Sequence, residues 1–385
     1  MSDQKIFKAL IIGGSLGGLF TATALRAIGW QVDVYERSPA TLDSRGGGIV
    51  LQQEVVEAFK FSGIKPTTAL GVRSNNRTYL DRLGGVRHKQ YAPQTQTSWN
   101  TLYSNLLNAL PEDNYHRGKK LIGLEQRDDG VTANFEDGTT AVGDILIGAD
   151  GGGSTVRNLV LPGINPTYSG YVVWRGLVNE VDLPAEAAEQ IYEDFVFQQD
   201  PESLMLEYMV PGVDGSIAVG ERRFNWLWYL KAAPGPELDA VLTDSKGRRR
   251  ENSIPPGAMT KSQDEAFRTI AKEKINPAFL ELIHQTDEVF VQSILDLKVP
   301  QMVFNRVMLV GDAAFIPRPH TAGSTAKAAA NAVTLAKVLA NHSDIDQGLR
   351  LWERHQLNEG NAMSDWGIDM GNRIMGIDKY TGVRK

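Results

Sequence analysis

The chain has no cysteine in its 385 residues. That excludes disulfides, iron–sulfur clusters, thiolate nucleophiles and dithiol redox chemistry. Any redox work must fall to a bound organic cofactor. No apolar run reaches the roughly 18 residues needed to span a bilayer. The first apolar run reads as a strand rather than a signal peptide, so a cytosolic location is expected. Positive charge is not in excess either. A net charge of -6 argues against a nucleic-acid or anionic-membrane partner. The one basic run, Lys246-Gly247-Arg248-Arg249-Arg250, reads as a solvated loop. No close His/Asp/Glu spacing falls on one helix face, so no metal site is expected. A Gly-x-Ser-x-Gly elbow is also absent. The length exceeds what one core usually organises, which points to two domains. A homodimer stays open as the assembly.

What is present is glycine in a telling order. The opening Leu10-Ile11-Ile12-Gly13-Gly14-Ser15-Leu16-Gly17-Gly18-Leu19 reads as a buried parallel strand, a tight turn and a helix start. Gly13 permits the turn, and Gly18 permits close helix–strand packing. Free N–H groups at the helix start can hold a pyrophosphate. A second strand, Gln31 to Tyr35, ends in Glu36, placed to accept hydrogen bonds from a ribose. The middle glycine of the fingerprint is replaced by Ser15, whose hydroxyl can itself touch phosphate. Far downstream come Gly148-Ala149-Asp150-Gly151 and Leu309-Val310-Gly311-Asp312-Ala313-Ala314. The opening alone fits many nucleotide binders. The ordered trio makes sense if all three wrap one large dinucleotide, and FAD is that cofactor.

Between these motifs the pattern changes. Residues 71–99 are polar and Gly-punctuated, an excursion from the nucleotide fold. Residues 100–110 have helical spacing, and 119–147 alternate strands with Gly-containing turns. From 167 to 235 aromatics concentrate, among them Tyr208, Trp228 and Tyr229, and alternation reads as antiparallel strand. Residues 236–285 are helical and polar, 306–310 return to a buried strand, and 346–385 read as a helix with a loose tail. The expected fold is α/β: a Rossmann-like FAD-binding domain with an inserted, mostly antiparallel α+β substrate domain and C-terminal helices. Residues 1–70, 100–166 and 286–345 would form the first domain. Residues 71–99 and 167–285 would form the second, with 346–385 as the C-terminal helical segment.

At this point the sequence resembles the single-component FAD-dependent aromatic hydroxylases of the 4-hydroxybenzoate hydroxylase type. The resemblance rests on the opening, on Asp144 to Gly151 with Ser154 and Arg157, and on Gly311-Asp312-Ala313-Ala314. It spans nearly the whole chain. A closer similarity, to the dihydroxypyridine-hydroxylating branch, rests on four segments. These are Gly13-Gly14-Ser15, Val34 to Pro39, Tyr168 to Gly176, and Pro317-Arg318-Pro319-His320.

The resemblance implies tight, non-covalent FAD held by Gly13, Gly14, Ser15, Leu16, Gly18, Glu36, Arg37, Asp150, Gly151, Gly311, Asp312, Ala322, Gly323 and Ser324. Asp312 would bond sugar or ribityl hydroxyls, and Asp150-Gly151 would support the pyrophosphate and the approach of NADH or NADPH. Pro319 would lie beside the flavin ring. A helix starting near Ala322 would aim its N–H groups at the flavin O2, which the helix dipole also favours. The implied reaction uses NAD(P)H and O2 to hydroxylate a small hydroxylated aromatic ring, such as 2,6-dihydroxypyridine, through a flavin C4a-hydroperoxide. Departures stand out: Ala322-Gly323-Ser324 replaces Gly-Gln-Gly, Asn331 replaces an acid, and Trp99 stands where an arginine is frequent.

His320 is the first candidate for moving a proton, because an ordinary imidazole pKa near 6.5 suits neutral pH. Capping or simple flavin contact is the plainer role. Tyr208 is a second catalytic candidate. Tyr208, Trp228, Tyr229 and Arg175 are candidates for the substrate pocket, against ordinary core aromatics and a buried paired arginine. The other histidines, His88, His116, His284, His342 and His355, read as surface residues. Three rivals remain: a nicotinamide dehydrogenase, which leaves Gly311-Asp312 unexplained; a disulfide reductase, which lacks its cysteines; and a flavin-binding module without turnover.

Overall fold

The computed structural model describes residues 6–42, 47–66, 68–341 and 344–377. Two sheets organise it. The smaller has six strands in the order Val303–Phe304, Val307–Leu309, Ile145–Gly148, Lys8–Ile12, Gln31–Glu36 and Tyr115–Arg117. All neighbours are parallel except the short Val303–Phe304 edge. The inner strands are apolar on both faces, as a covered parallel sheet requires. Ala9 to Ile11, Ile145 to Ile147 and Val307 to Leu309 are fully buried. The helices Leu16–Ala27 and Ser324–Asn341 pack into the same core through Leu19, Phe20, Ala329 and Ala332.

This topology explains why three distant motifs act together. Strand Lys8–Ile12 lies beside Ile145–Gly148, which lies beside Val307–Leu309, all in one direction. Gly13, Asp150 and Gly311-Asp312 therefore leave the sheet at one edge, the carboxyl ends of the strands, where open α/β sheets bind ligands.

The larger sheet has ten strands. Its order is Ser253–Ile254, Phe290–Lys298, Thr167–Asn179, Arg223–Lys231, Ser203–Val210, Phe195–Asp200, Val72–Leu80, Val86–Ser98 and Gly48–Val50, with Phe315–Ile316 pairing Phe290–Lys298. Pairing is antiparallel except between Phe195–Asp200 and Val72–Leu80. Behind it lie helices Lys261–Lys274 and Pro277–His284, which bury Phe267, Phe279, Leu282 and Ile283 against Trp226 and Trp228. The segment read as polar and helical thus hides an apolar face.

Segment boundaries differ from the expected ones at two places. Gly48–Val50 lies within 1–70, and Phe290–Lys298 and Phe315–Ile316 lie within 286–345, yet all three pair with the large sheet. Short strands join whichever edge offers hydrogen-bond partners, and local pattern does not carry that choice. The last helix runs Ile345–Met375. It approaches closely because Gly360, Gly367 and Gly371 leave no Cβ to meet Phe315, Arg318 and Tyr171. The tail expected after it falls largely outside the described residues.

Candidate active site

The first motif is held from below. Glu36, at the end of strand Gln31–Glu36, accepts from the N–H of Gly14 (2.9 Å) and of Ser38 (2.7 Å). The phenol of Tyr115 donates to the Gly14 carbonyl (2.9 Å) and lies 3.3 Å from the Tyr103 hydroxyl. A Cβ at Gly14 would come within 2.1 Å of that phenol, and one at Gly18 within 1.9 Å of the Gly13 carbonyl. Ser15 is the N-cap of helix Leu16–Ala27 but makes no side-chain cap. The first-turn N–H groups are left to a ligand, and a pyrophosphate suits them. Arg37 follows as an exposed residue.

Asp150 does more local work than the resemblance implied. Its carboxylate accepts from Ser154 Oγ and from the N–H groups of Thr155 (2.7 Å) and Val156 (3.1 Å). It caps the short helix Thr155–Val160, and its Gly151 adopts a left-handed turn. Arg157, buried, then ties the second motif to the third. It donates to the Gly152 carbonyl (2.6 Å) and the Ala313 carbonyl (3.2 Å).

The third motif meets the last part of the site. Asp312 accepts from Ser324 Oγ (2.7 Å) and faces Lys327 Nζ (3.3 Å). Ser324, a departure from the family pattern, thus joins two cofactor segments. The helix begins at Ser324, two residues beyond the expected start, because Ala322 turns left-handed with φ 51°. Asn331, the other departure, accepts from the Gly311 N–H (3.1 Å) and donates to Gln356 (2.5 Å). It holds the Gly311 turn, a structural role. Trp99 stacks on Tyr103 (4.6 Å).

In front of this edge lies a cavity of about 1440 Å³ between the two sheets. Asp312, Pro319, His320, Ala322, Gly323 and Ser324 line one side, and Arg175, Tyr208 and Tyr229 line the other. Gly48 lies close over Tyr208 and Asn225, where a Cβ would meet the phenol ring at 2.4 Å. Arg175 donates to Gln292 (3.2 Å), sits over the Phe290 ring and makes no ion pair among the described residues.

Trp228 does not line this cavity. Consecutive residues of a strand point to opposite faces, so Trp228 and Tyr229 could not both do so. Its indole donates to Ser203 Oγ (2.8 Å) in the core behind the sheet, packed on Phe267.

His320 also differs from expectation. It is half-buried, packed between Tyr229 (4.5 Å) and Tyr171 (5.8 Å), with Nε2 bonded to the Tyr171 hydroxyl (2.9 Å). Burial, with the nearby Arg318 charge, pulls its pKa down to about 4. The imidazole is therefore neutral at neutral pH, not poised between forms. Arg318 is fixed by Asp296 (2.7 and 2.8 Å) and by Asn372 (2.8 Å). Burial pushes the Tyr171 and Tyr208 phenols up to about 12, so both stay protonated. Of the other histidines, His88, His284 and His355 are exposed, and His116 bonds Asp33 (2.9 Å). His342 lies outside the described residues.

Sequence reasoning missed three residues of this site: Tyr115, Tyr171 and Lys327. Lys327 is buried, with Nζ bonded to the carbonyls of Gly311 (3.1 Å) and Phe315. A single lysine in the small, apolar face Ala326, Ala329, Ala332 was the available signal. The two tyrosines carried none, because their partners are more than 100 positions away.

Comparison with known proteins agrees with this geometry. The 2,6-dihydroxypyridine 3-monooxygenase of Paenarthrobacter nicotinovorans is 36% identical over 369 residues, 94% of this chain and 90% of that one. The chain belongs to the FAD-dependent aromatic hydroxylases. The family described as FAD binding domain-like matches residues 168–296. The solved 2,6-dihydroxypyridine-3-hydroxylase of Arthrobacter nicotinovorans superposes with a TM-score of 0.90 at 34% identity, covering 98% of this chain and 95% of that one. The Klebsiella pneumoniae protein HpxO, solved with FAD and uric acid, shares the fold at 23% identity (TM-score 0.79; 97% of this chain, 90% of that one). This chain is thus a flavoprotein monooxygenase that uses FAD. Among the described residues no helix is long and apolar enough to cross a membrane.

Proposed function

We propose that the chain hydroxylates a small hydroxypyridine, with 2,6-dihydroxypyridine as the first candidate, using NAD(P)H and O2 in the cytosol. One observation carries the reading: Asp312 and Ser324 of the cofactor edge share a single cavity with Arg175, Tyr208, Tyr229 and His320. Bound there, FAD would supply the redox chemistry, accepting a hydride and activating oxygen. The protein would supply position and proton handling. Arg175 offers a cation beside Tyr208 and Tyr229, suited to an oxygen-rich or ionised ring. Tyr208 and Tyr229, both protonated, serve as hydrogen-bond donors rather than bases. Neutral His320 can accept a hydrogen bond from a ring O–H on one nitrogen while its Nε2 bonds the Tyr171 hydroxyl, which would orient the ring hydroxyl and favour its ionisation.

The activities of two relatives support this choice of ring: a 2,6-dihydroxypyridine monooxygenase in one, and a 6-hydroxynicotinate monooxygenase of Pseudomonas fluorescens, 28% identical over 86% of this chain, in the other. The test is a panel of hydroxypyridines and hydroxybenzoates given to the purified flavoprotein. NAD(P)H loss, O2 uptake and product are read together. A hydroxypyridine should give one product per NAD(P)H consumed. If no ring raises NAD(P)H oxidation above the basal rate, the reading fails, and a flavin-binding module without turnover takes its place.

A further inference from the structure

The cavity wall is cationic in a chain whose net charge is negative. Among the described residues its charged lining consists of Arg73, Arg77 and Arg175 against Asp312. Arg175 lies deep, beside the buried Tyr208 and Tyr229. Arg73 and Arg77 differ: both are exposed, and both stand on strand Val72–Leu80. Among the described residues Arg73 donates to the hydroxyl of Tyr91 (3.3 Å), and Arg77 lies against the side-chain amide of Gln94, whose oxygen accepts from it once the amide is turned over. Among the described residues neither has an acidic partner. The wall continues past them. Tyr79, stacked on Phe197 (4.9 Å), and Gln199 line both the cavity and a second pocket of about 360 Å³. Arg87 and His88 of the adjoining strand Val86–Ser98 line that pocket, and among the described residues no acid shares its lining.

We infer that this rim is the docking groove for the nicotinamide dinucleotide, with its pyrophosphate on Arg73 and Arg77 and its adenosine end in the pocket beyond Tyr79. The inference rests on the NAD(P)H-dependent reading above. Three arguments favour this occupant. The pyrophosphate of FAD already has its place at the start of helix Leu16–Ala27, on the edge formed by Gly13 to Gly18, which does not line this cavity. A small ring substrate has its own cation in the half-buried Arg175, beside Tyr208 and Tyr229. A reductant that comes and goes each cycle suits exposed arginines, whose paired N–H groups match phosphate oxygens. Removing one charge-assisted contact should weaken binding by about tenfold or more.

The experiment is anaerobic reduction of the FAD-loaded protein by NADH and by NADPH, followed by flavin bleaching against reductant concentration. Wild type is compared with R73Q, R77Q, the double variant and R77K. Both arginines are exposed, so folding should survive, and melting temperature and FAD content verify it. The expected result is a half-saturating concentration raised about tenfold or more in R77Q, higher still in the double variant, and largely recovered in R77K. The limiting rate, the FAD content and the affinity for the aromatic substrate should not change. Raising salt should weaken reductant binding to wild type more than to the double variant. Curves that overlay wild type would overturn the inference. So would a loss confined to FAD or to the aromatic substrate, which would assign the rim to those ligands. If neither nicotinamide bleaches wild type, it is the underlying NAD(P)H reading that falls.

Discussion

The strands Ser203–Val210 and Arg223–Lys231 carry neighbouring residues to opposite fates. Leu204, Leu206 and Tyr208, with Leu227 and Tyr229, face the cavity. Met205, Glu207, Trp226 and Trp228 face the helices behind the sheet. Both faces are aromatic and both are buried, so composition does not tell them apart. What differs is the far wall. One face looks across open volume to Asp312 and His320, and the other is closed by Phe267, Phe279 and Ile283. A site is made where packing stops, not where a residue type appears.

The contrast can be broken by mutation, first on the cavity side. His320→Ala should keep FAD and fold, yet lower coupled product formation by about 10²–10⁴-fold. NAD(P)H consumption should continue, with hydrogen peroxide as the product. Coupling should partly return at higher pH, where the substrate ionises unaided. Product per NAD(P)H against pH measures this, and a fully coupled variant would make His320 structural. The same histidine has a stability signature. Its folded pKa is depressed to about 4, so its contribution is complete above about pH 6.5 and is lost as pH falls toward 4. Urea unfolding at several pH values should show that loss in wild type and less of it in the variant.

Trp228→Ala should do the reverse. Losing the buried indole and its bond to Ser203 should cost about 3–5 kcal/mol of stability. Turnover per bound FAD should stay near wild type in the fraction that folds. A selective loss of turnover at unchanged stability would put Trp228 on the wrong face.

Glu207 sharpens the comparison from the core side. It is fully buried, and among the described residues neither carboxyl oxygen has a hydrogen-bond partner. Burial, with the Asp194 charge, raises its pKa well above the usual carboxyl value. A raised folded pKa makes stability greatest below about pH 4.5 and erodes it as pH rises. Glu207→Met should therefore stabilise the protein at neutral pH, on the order of 1–3 kcal/mol, and flatten that slope. An unfolding midpoint at or below wild type would show that Glu207 is held by something more than apolar packing.

The smallest expected effect returns to the cofactor edge. Asp312→Ala should weaken FAD binding by about tenfold, read by flavin retained on dialysis, and neither Trp228→Ala nor Glu207→Met should do so per folded molecule.

Much of this was readable in the chain. Three glycine-bearing motifs, each behind a buried apolar run, fixed the parallel strands and the cofactor, because a strand, a tight turn and a helix start are local patterns. The aromatic alternation from 167 to 235 likewise announced an antiparallel sheet. The departure Ser324 was visible in sequence, but its bond to Asp312 was not. Nor did sequence separate Trp228 from Tyr229, because period-two alternation says that two neighbours face apart without saying which faces the cavity.

What the sequence by itself determined is the nucleotide-binding edge, the absence of thiol chemistry and the family. These depend on residue identity within short windows. Only the tertiary structure decided which aromatics meet the cavity, that Tyr171 takes the His320 nitrogen, and that burial leaves His320 neutral. Those outcomes depend on water excluded by segments more than a hundred residues apart, such as Tyr171 and His320. Desolvation is a property of the enclosure, and no single stretch of chain contains it.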